Sequence, residues 1–178
     1  MKKMKNWKLG LIIAGVIFLS GCATMQVVLV KDFSLKTPLP KTLVVGDISL
    51  KEKVELPQEE INKGRETLYG AFKEELPEYQ ILMSSPSEGD FLTIETKIVY
   101  IRKSRPLLLP MGLVATSICN GEFSVFLNRQ NQTQIEILKT KIPSMRIAGL
   151  IYGEYGAYYS FLKIVAQKIA IEFKKAGQ

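Results

Sequence analysis

The 178-residue sequence contains no histidine. That single absence removes Ser-His-Asp and Cys-His arrangements, imidazole general bases and histidine-ligated zinc. Cysteine is almost as scarce, with Cys22 and Cys119 alone. Two thiols, one of them committed elsewhere as argued below, make no disulfide framework. Cys119 lies where a strand begins and has no imidazole to activate it, so it reads as a buried core thiol. Phosphate-cradling loops are missing too: no strand leads through a glycine-rich turn into a helix opened by Lys-Ser or Lys-Thr. The glycines Gly149, Gly153 and Gly156 have no lysine closing the stretch. Glu95, Glu122 and Glu136 fall in segments of alternating polarity, which reads as solvated sheet surface rather than a catalytic carboxylate pair. Asp47 interrupts the apolar run TLVVGDISL. It reads as solvent-facing, with a buried functional group as the alternative. No enzyme activity, metal or cofactor is expected.

Acids are also absent from the first 21 positions, which hold four of the 24 basic residues: Lys2, Lys3, Lys5 and Lys8. Beyond them 20 basic residues face 17 acidic ones, interleaved as in Lys51-Glu52-Lys53. The net charge of +7 is therefore mostly a property of the extreme N-terminus. A mixed surface of that kind is not a phosphate-binding stripe, and nucleic acid is not an expected partner.

The N-terminus itself is informative. The basic segment MKKMKNWK precedes the apolar run LGLIIAGVIFL, Leu9 to Leu19, followed by Leu19-Ser20-Gly21-Cys22. The order is that of a secretory signal. Its end resembles the bacterial lipobox: a Leu, two small residues that admit the peptidase, and a Cys whose sulfur takes the lipid. The resemblance implies cleavage between Gly21 and Cys22, acylation of Cys22, and stable anchorage through several acyl chains. It divides the chain into a signal over 1–21, an acylated N-terminus and tether over 22–41, and one domain over 42–178. The alternative is an uncleaved anchor, because no charge occurs between Lys8 and Lys31 and a span needs about 20 apolar residues. Ala23, rather than Asp, follows the cysteine, which by the sorting rule that accompanies the lipobox favours the outer membrane with the domain facing the periplasm.

The remaining 157 residues suffice for one core. Thr42 to Leu50 is β-branched and apolar and predicts a buried strand. Pro57 opens a helix with Glu59 and Glu60 in its first turn, an apolar face of Ile61, Leu68, Tyr69, Phe72 and Leu76, and Pro77 as its stop. Tyr79 to Ser84 is a short strand. Phe91 to Lys103 alternates, with Leu92, Ile94, Ile98 and Tyr100 expected on one face. Further strands are predicted from Ile118 to Asn128 and from Gln134 to Ile142, the last ended by Pro143. A final helix spans Ala157 to Lys175, with Tyr158, Phe161, Leu162, Val165, Ile169 and Phe173 inward. The expectation is an α+β fold: a single mixed β-sheet of about five strands in β-α-β-β-β-α order with two main helices packed on it.

Between two of those strands lies RPLLLPMGLVA, Arg105 to Ala115. Two prolines argue against a regular strand. Leu107, Leu108, Leu109, Met111, Leu113 and Val114 then either fill the core beneath the sheet or form a loop that docks on a partner or the membrane interface.

Gly89-Asp90-Phe91-Leu92-Thr93-Ile94-Glu95-Thr96-Lys97-Ile98 resembles the A-D-Y-x-L-x-G-x-I strand entry of envelope lipoproteins built on the TolB N-terminal-like domain, among them curli-secretion-type and penicillin-binding-protein activator lipoproteins. The element order is similar to theirs. The resemblance implies a protein without catalytic residues that works by binding another envelope protein, held to the membrane through Cys22. The function expected from the sequence is an accessory or assembly factor for an envelope complex. A carrier of a small amphipathic ligand such as lipid is the alternative.

Overall fold

The structure, a computed structural model, describes residues 39–109, 112–129, 134–149 and 154–176; for residues 104–109, 112–117, 140–149 and 176 it describes the backbone alone. The elements are β1 (Thr42–Leu50), α1 (Gln58–Glu75), β2 (Gln80–Leu82), β3 (Phe91–Leu109), β4 (Gly112–Asn128), β5 (Ile135–Gly149) and α2 (Gly156–Ala176). They build the expected α+β fold, a five-stranded mixed sheet in the order β2-β1-β3-β4-β5 with both helices against it.

β1 runs parallel to β2 on one side and to β3 on the other, pairing Leu43 with Ile81 and with Leu92. Its β-branched residues suit a strand flanked on both edges, and Leu43 and Val45 are fully buried. α1 starts after Pro57, whose carbonyl accepts from the N–H groups of Glu60 and Ile61. The two first-turn glutamates complement the helix dipole. It ends where Leu76 donates to the Phe72 carbonyl and Pro77 follows, which cannot continue the ladder. The face it buries consists of Gly64, Leu68 and Phe72, with Ile61 and Tyr69 half-buried at its margin. α2 buries Tyr158, Phe161, Leu162, Val165, Ile169 and Phe173, all the residues its periodicity predicts, together with Ala157, Ala166 and Ala170. Each such large side chain contributes on the order of 1.5–3 kcal/mol by leaving water. Phe123 of β4 meets Phe161 of α2 with ring centroids 5.4 Å apart, tying sheet to helix layer.

Three strand boundaries differ from the sequence expectation. β3 continues past Lys103 to Leu109, β4 begins at Gly112 rather than Ile118, and β5 runs through Pro143 to Gly149. Pro106 and Pro143 are accommodated because each lies on a strand with one free edge. β5 is the outermost strand, and beyond Ile98, the last partner of β1, β3 pairs with β4 alone. A proline whose missing N–H falls on an open edge removes no ladder bond. Pro143 also lies at the irregularity between the Gly121–Ile142 and Cys119–Met145 pairs. Register shifts correct a fourth expectation. Leu92, Ile94 and Ile98 share the buried face, but an irregularity between Ile98 and Tyr100 turns Tyr100 outward, 44 % exposed, and brings Ile101 against the core instead.

Residues 105–109 and 112–115 are accordingly strand, not the loop the sequence reading offers. Pro106 pairs with Ala115, Leu107 with Val114, Leu108 with Leu113 and Leu109 with Gly112, so the described part is the end of a long antiparallel hairpin. β5 extends alongside as far as the Ala115–Gly149 pair. The result is a three-stranded arm that continues the sheet past the end of β1.

Candidate functional site

The residues singled out from sequence do not converge. Gly21 and Cys22 lie outside the described residues, as does Met111. Leu107, Leu108 and Leu109 on β3, and Leu113 and Val114 on β4, are placed together in the arm. Asp47 is exposed, on the irregularity of β1 after Val45, and holds the Arg65 guanidinium at 3.0 Å. Glu95 stands opposite Ser124 and Glu122 opposite Lys97, while Glu136 accepts from the Ser124 hydroxyl at 2.8 Å. These are pairings of a solvated sheet face. Cys119 is fully buried among apolar side chains, and that burial pushes its thiol well above the usual range.

What the sequence reading missed is the relation between the two helices. They run side by side, and on their solvent side lies an open groove of about 1060 Å³. Five glutamates line it, among them Glu66, Glu74 and Glu75, against two lysines, Lys63 and Lys163. Gly70, Ala71 and Tyr159 add apolar surface. At one end the Tyr159 hydroxyl donates to Glu60 Oε2 at 2.5 Å, and Lys63 lies 2.7 Å from Glu59 and 3.6 Å from Glu60. Burial, and then the bond to Glu60, keep the Tyr159 phenol protonated to unusually high pH. At the mouth Lys103 of β3 reaches Glu154 at 2.8 Å and lies 5.2 Å from the Tyr155 ring centroid, which joins the base of the arm to the start of α2. The hydrogen bond to Glu154 is the main reason the Lys103 ammonium holds its proton more tightly than usual.

A second unpredicted contact fixes where α1 sits. The Arg65 fork donates through Nε and Nη2 to the Val45 carbonyl at 3.1 and 2.9 Å, and through Nη2 to the Met83 carbonyl. One planar group thus ties α1 to β1 and to the chain leaving β2.

Chemically, the groove offers carboxylates, amines and two phenols, Tyr155 and Tyr159, in an open, wet setting. Among the described residues no group of three Cys, Asp or Glu side chains could hold a metal ion, and no helix is long and apolar enough to cross a membrane. The layer between sheet and helices is filled by Phe72, Phe123, Tyr158 and Phe161, each fully buried.

No protein-family model matches the chain, and no curated protein matches it in sequence. A solved structure does share its fold. A PelC dodecamer from Paraburkholderia phytofirmans superposes with a TM-score of 0.51 at 8% identity, covering 83% of this chain and 98% of that one. Bacterial lipoproteins are among the other matches. A minor lipoprotein from Acinetobacter baumannii gives a TM-score of 0.33 at 13% identity over 79% of this chain and 93% of that one. An uncharacterized lipoprotein B from Nitrosomonas europaea gives 0.34 at 15% identity, over 82% and 94% respectively.

Proposed function

We propose that this chain is a lipid-anchored envelope lipoprotein, held at the periplasmic face of the outer membrane, that serves as a non-enzymatic accessory or assembly factor for another envelope complex. The observation that carries the reading is Leu19-Ser20-Gly21-Cys22 directly behind a basic segment and an apolar run of signal length. Several features support it. The open, carboxylate-lined groove and the strand arm are surfaces suited to contact with another protein. The PelC protein of the same fold is described as a dodecamer. Ala23 after the cysteine favours the outer membrane over retention at the inner one.

The test is Cys22→Ser expressed in a Gram-negative host with labelled palmitate. The wild-type chain should incorporate label and lose about 2 kDa of signal, since 21 residues precede the cysteine. The variant should remain an unlabelled, uncut precursor. Label retained by Cys22→Ser, or an uncut wild-type chain, overturns the anchoring.

A further inference from the structure

Both helices cover one face of the sheet, the face that carries Ile94, Ile98, Cys119 and Phe123. Among the described residues neither helix packs on the other face. The register assigns residues to that uncovered face in rows across β3, β4 and β5. Lys97, Glu122 and Lys141 form one row, and in the next Tyr100 stands opposite Asn120. Arg102, Ile118 and Arg146 follow, and then Arg105 opposite Thr116. Glu122, Asn120, Ile118 and Thr116 succeed one another at intervals of two along β4, so the four rows share a face.

Two irregularities in β3 set the composition of these rows. Strict alternation from Lys97 would reach Ile101 and Lys103. The register shifts between Ile98 and Tyr100 and between Arg102 and Arg105 bring Tyr100 and Arg102 to this side instead. They leave Lys103 to reach Glu154 and Tyr155 at the start of α2, where its charge is matched within the chain. The uncovered face thus gathers five basic residues, Lys97, Arg102, Arg105, Lys141 and Arg146, against one acid, Glu122. Lys97 and Arg102 are exposed, and Arg102 makes no ion pair with a described residue. Tyr100 stands among them, 44 % exposed. Nearer the entry of β1 the same face is balanced, with Glu95 and Lys139 on either side of Ser124.

An excess of cations around an exposed tyrosine suits the headgroup layer of an anionic bilayer. Phosphates attract the basic residues, and a tyrosine ring settles at the boundary between headgroups and acyl chains. A uniformly negative surface also asks for no residue-by-residue match, as an acidic protein would. The anchorage proposed above brings such a surface within reach. The chain from Cys22 to Leu39 spans up to about 60 Å when extended. The rows from Lys97 to Arg105 lie only roughly 15–40 Å along β3 from Leu92, beside which the chain enters β1. A basic patch joined to an acyl anchor makes two signals for one membrane, which hold more firmly than either alone.

We infer that the uncovered sheet face, at Lys97, Tyr100, Arg102 and the register positions of Arg105, Lys141 and Arg146, docks on the anionic phospholipid surface of the bilayer that holds Cys22. The inference rests on the anchorage proposed above. Docked in this way, the domain turns its helix groove away from the membrane and leaves it open to a partner.

A single fluorophore tests it. Trp7 is the one tryptophan of the chain, so Trp7→Phe with Tyr100→Trp puts the only indole on the uncovered face, whether or not the signal is removed. The full acylated chain is reconstituted in vesicles of brominated phosphatidylcholine, with or without about 30 mol% phosphatidylglycerol. The indole should be quenched with phosphatidylglycerol and not without it, and quenching should fall at about 0.5 M salt. In this background Lys97→Gln with Arg102→Gln should lower the ratio of docked to free domain about 25-fold, at about fivefold per basic residue beside an anionic surface. Lys168→Gln with Lys174→Gln removes the same charge from exposed positions of α2 and should leave the ratio unchanged. Should the first pair not fold, Arg102→Gln alone decides, with about a fivefold fall expected. No quenching, equal quenching with and without phosphatidylglycerol, or equal losses from the two lysine- and arginine-substituted pairs overturns the proposal. Capture of an acidic protein through Arg102 while the indole stays unquenched makes the occupant a protein and overturns it as well. Labelled palmitate read on the same sample separates the two readings. A labelled chain whose indole stays bright refutes the docking alone, and an unlabelled chain refutes the anchorage and the docking with it.

Discussion

A Cβ built on Gly64 would lie 1.9 Å from the Tyr158 hydroxyl oxygen and 2.6 Å from its ring carbon Cζ. α1 and α2 therefore meet at a spot where only hydrogen fits. Helix propensity alone favours Gly64→Ala by about 1 kcal/mol, but overpacking at so close a contact costs about 1–3 kcal/mol. We predict net destabilisation, read as a lower urea midpoint.

Gly70 provides the opposite case, less than two turns along the same helix. Nothing lies within 4 Å of the place a methyl group would take there, so Gly70→Ala should raise stability by about 0.5–1 kcal/mol. The pair makes a sharp comparison: the same substitution, in the same helix, with opposite signs in a thermal melt.

Arg65 and Asp47 should separate in the same way. Arg65→Met keeps the aliphatic stem but leaves the Val45 and Met83 carbonyls without their donor, a loss of about 1–3 kcal/mol. Asp47 is 90% exposed in its side chain, so Asp47→Asn should cost less than about 1 kcal/mol. Equal effects in chemical denaturation would mean that the ion pair, not the carbonyl clamp, holds α1.

Cys119 gives a prediction in pH. Burial raises its thiol in the folded chain, whereas the unfolded chain releases that proton above about pH 8.5. The folded state then binds more protons than the unfolded one, and stability falls as pH rises, by up to about 1.4 kcal/mol per unit. Cys119→Ala should lower stability at neutral pH yet flatten the slope between about pH 8.5 and 9.5, below the range where Tyr158 and Tyr159 contribute. The native thiol should also resist stoichiometric modification at pH 8 over an hour, and react at once in denaturant.

Much of this architecture was legible because it is written in local periodicity. The inward face of α2, from Tyr158 to Phe173, follows the 3.6-residue repeat, and β1 is a β-branched, apolar run. Pro106 and Pro143 misled because a proline marks a break only in a strand with partners on both edges, and edge position is a property of the sheet order. Strict alternation puts Tyr100 on the buried face, but a single register shift inverts the positions that follow it. The groove was not legible at all: Glu60 and Tyr159 are 99 residues apart, and their meeting depends on α1 and α2 becoming neighbours. Conversely, the lipobox-like Leu19-Ser20-Gly21-Cys22 is purely local, and the proposed anchorage rests on it.

Pro143 has a last consequence, for solubility. β5 presents the long outer edge of the sheet, 15 residues of backbone that another strand could extend. Pro143 offers no N–H to an incoming chain, and Lys139, Lys141 and Arg146 place like charges along the same strand. Such an edge resists strand addition and runaway cross-β growth. Copies of this domain can thus reach high local concentration without fusing their sheets.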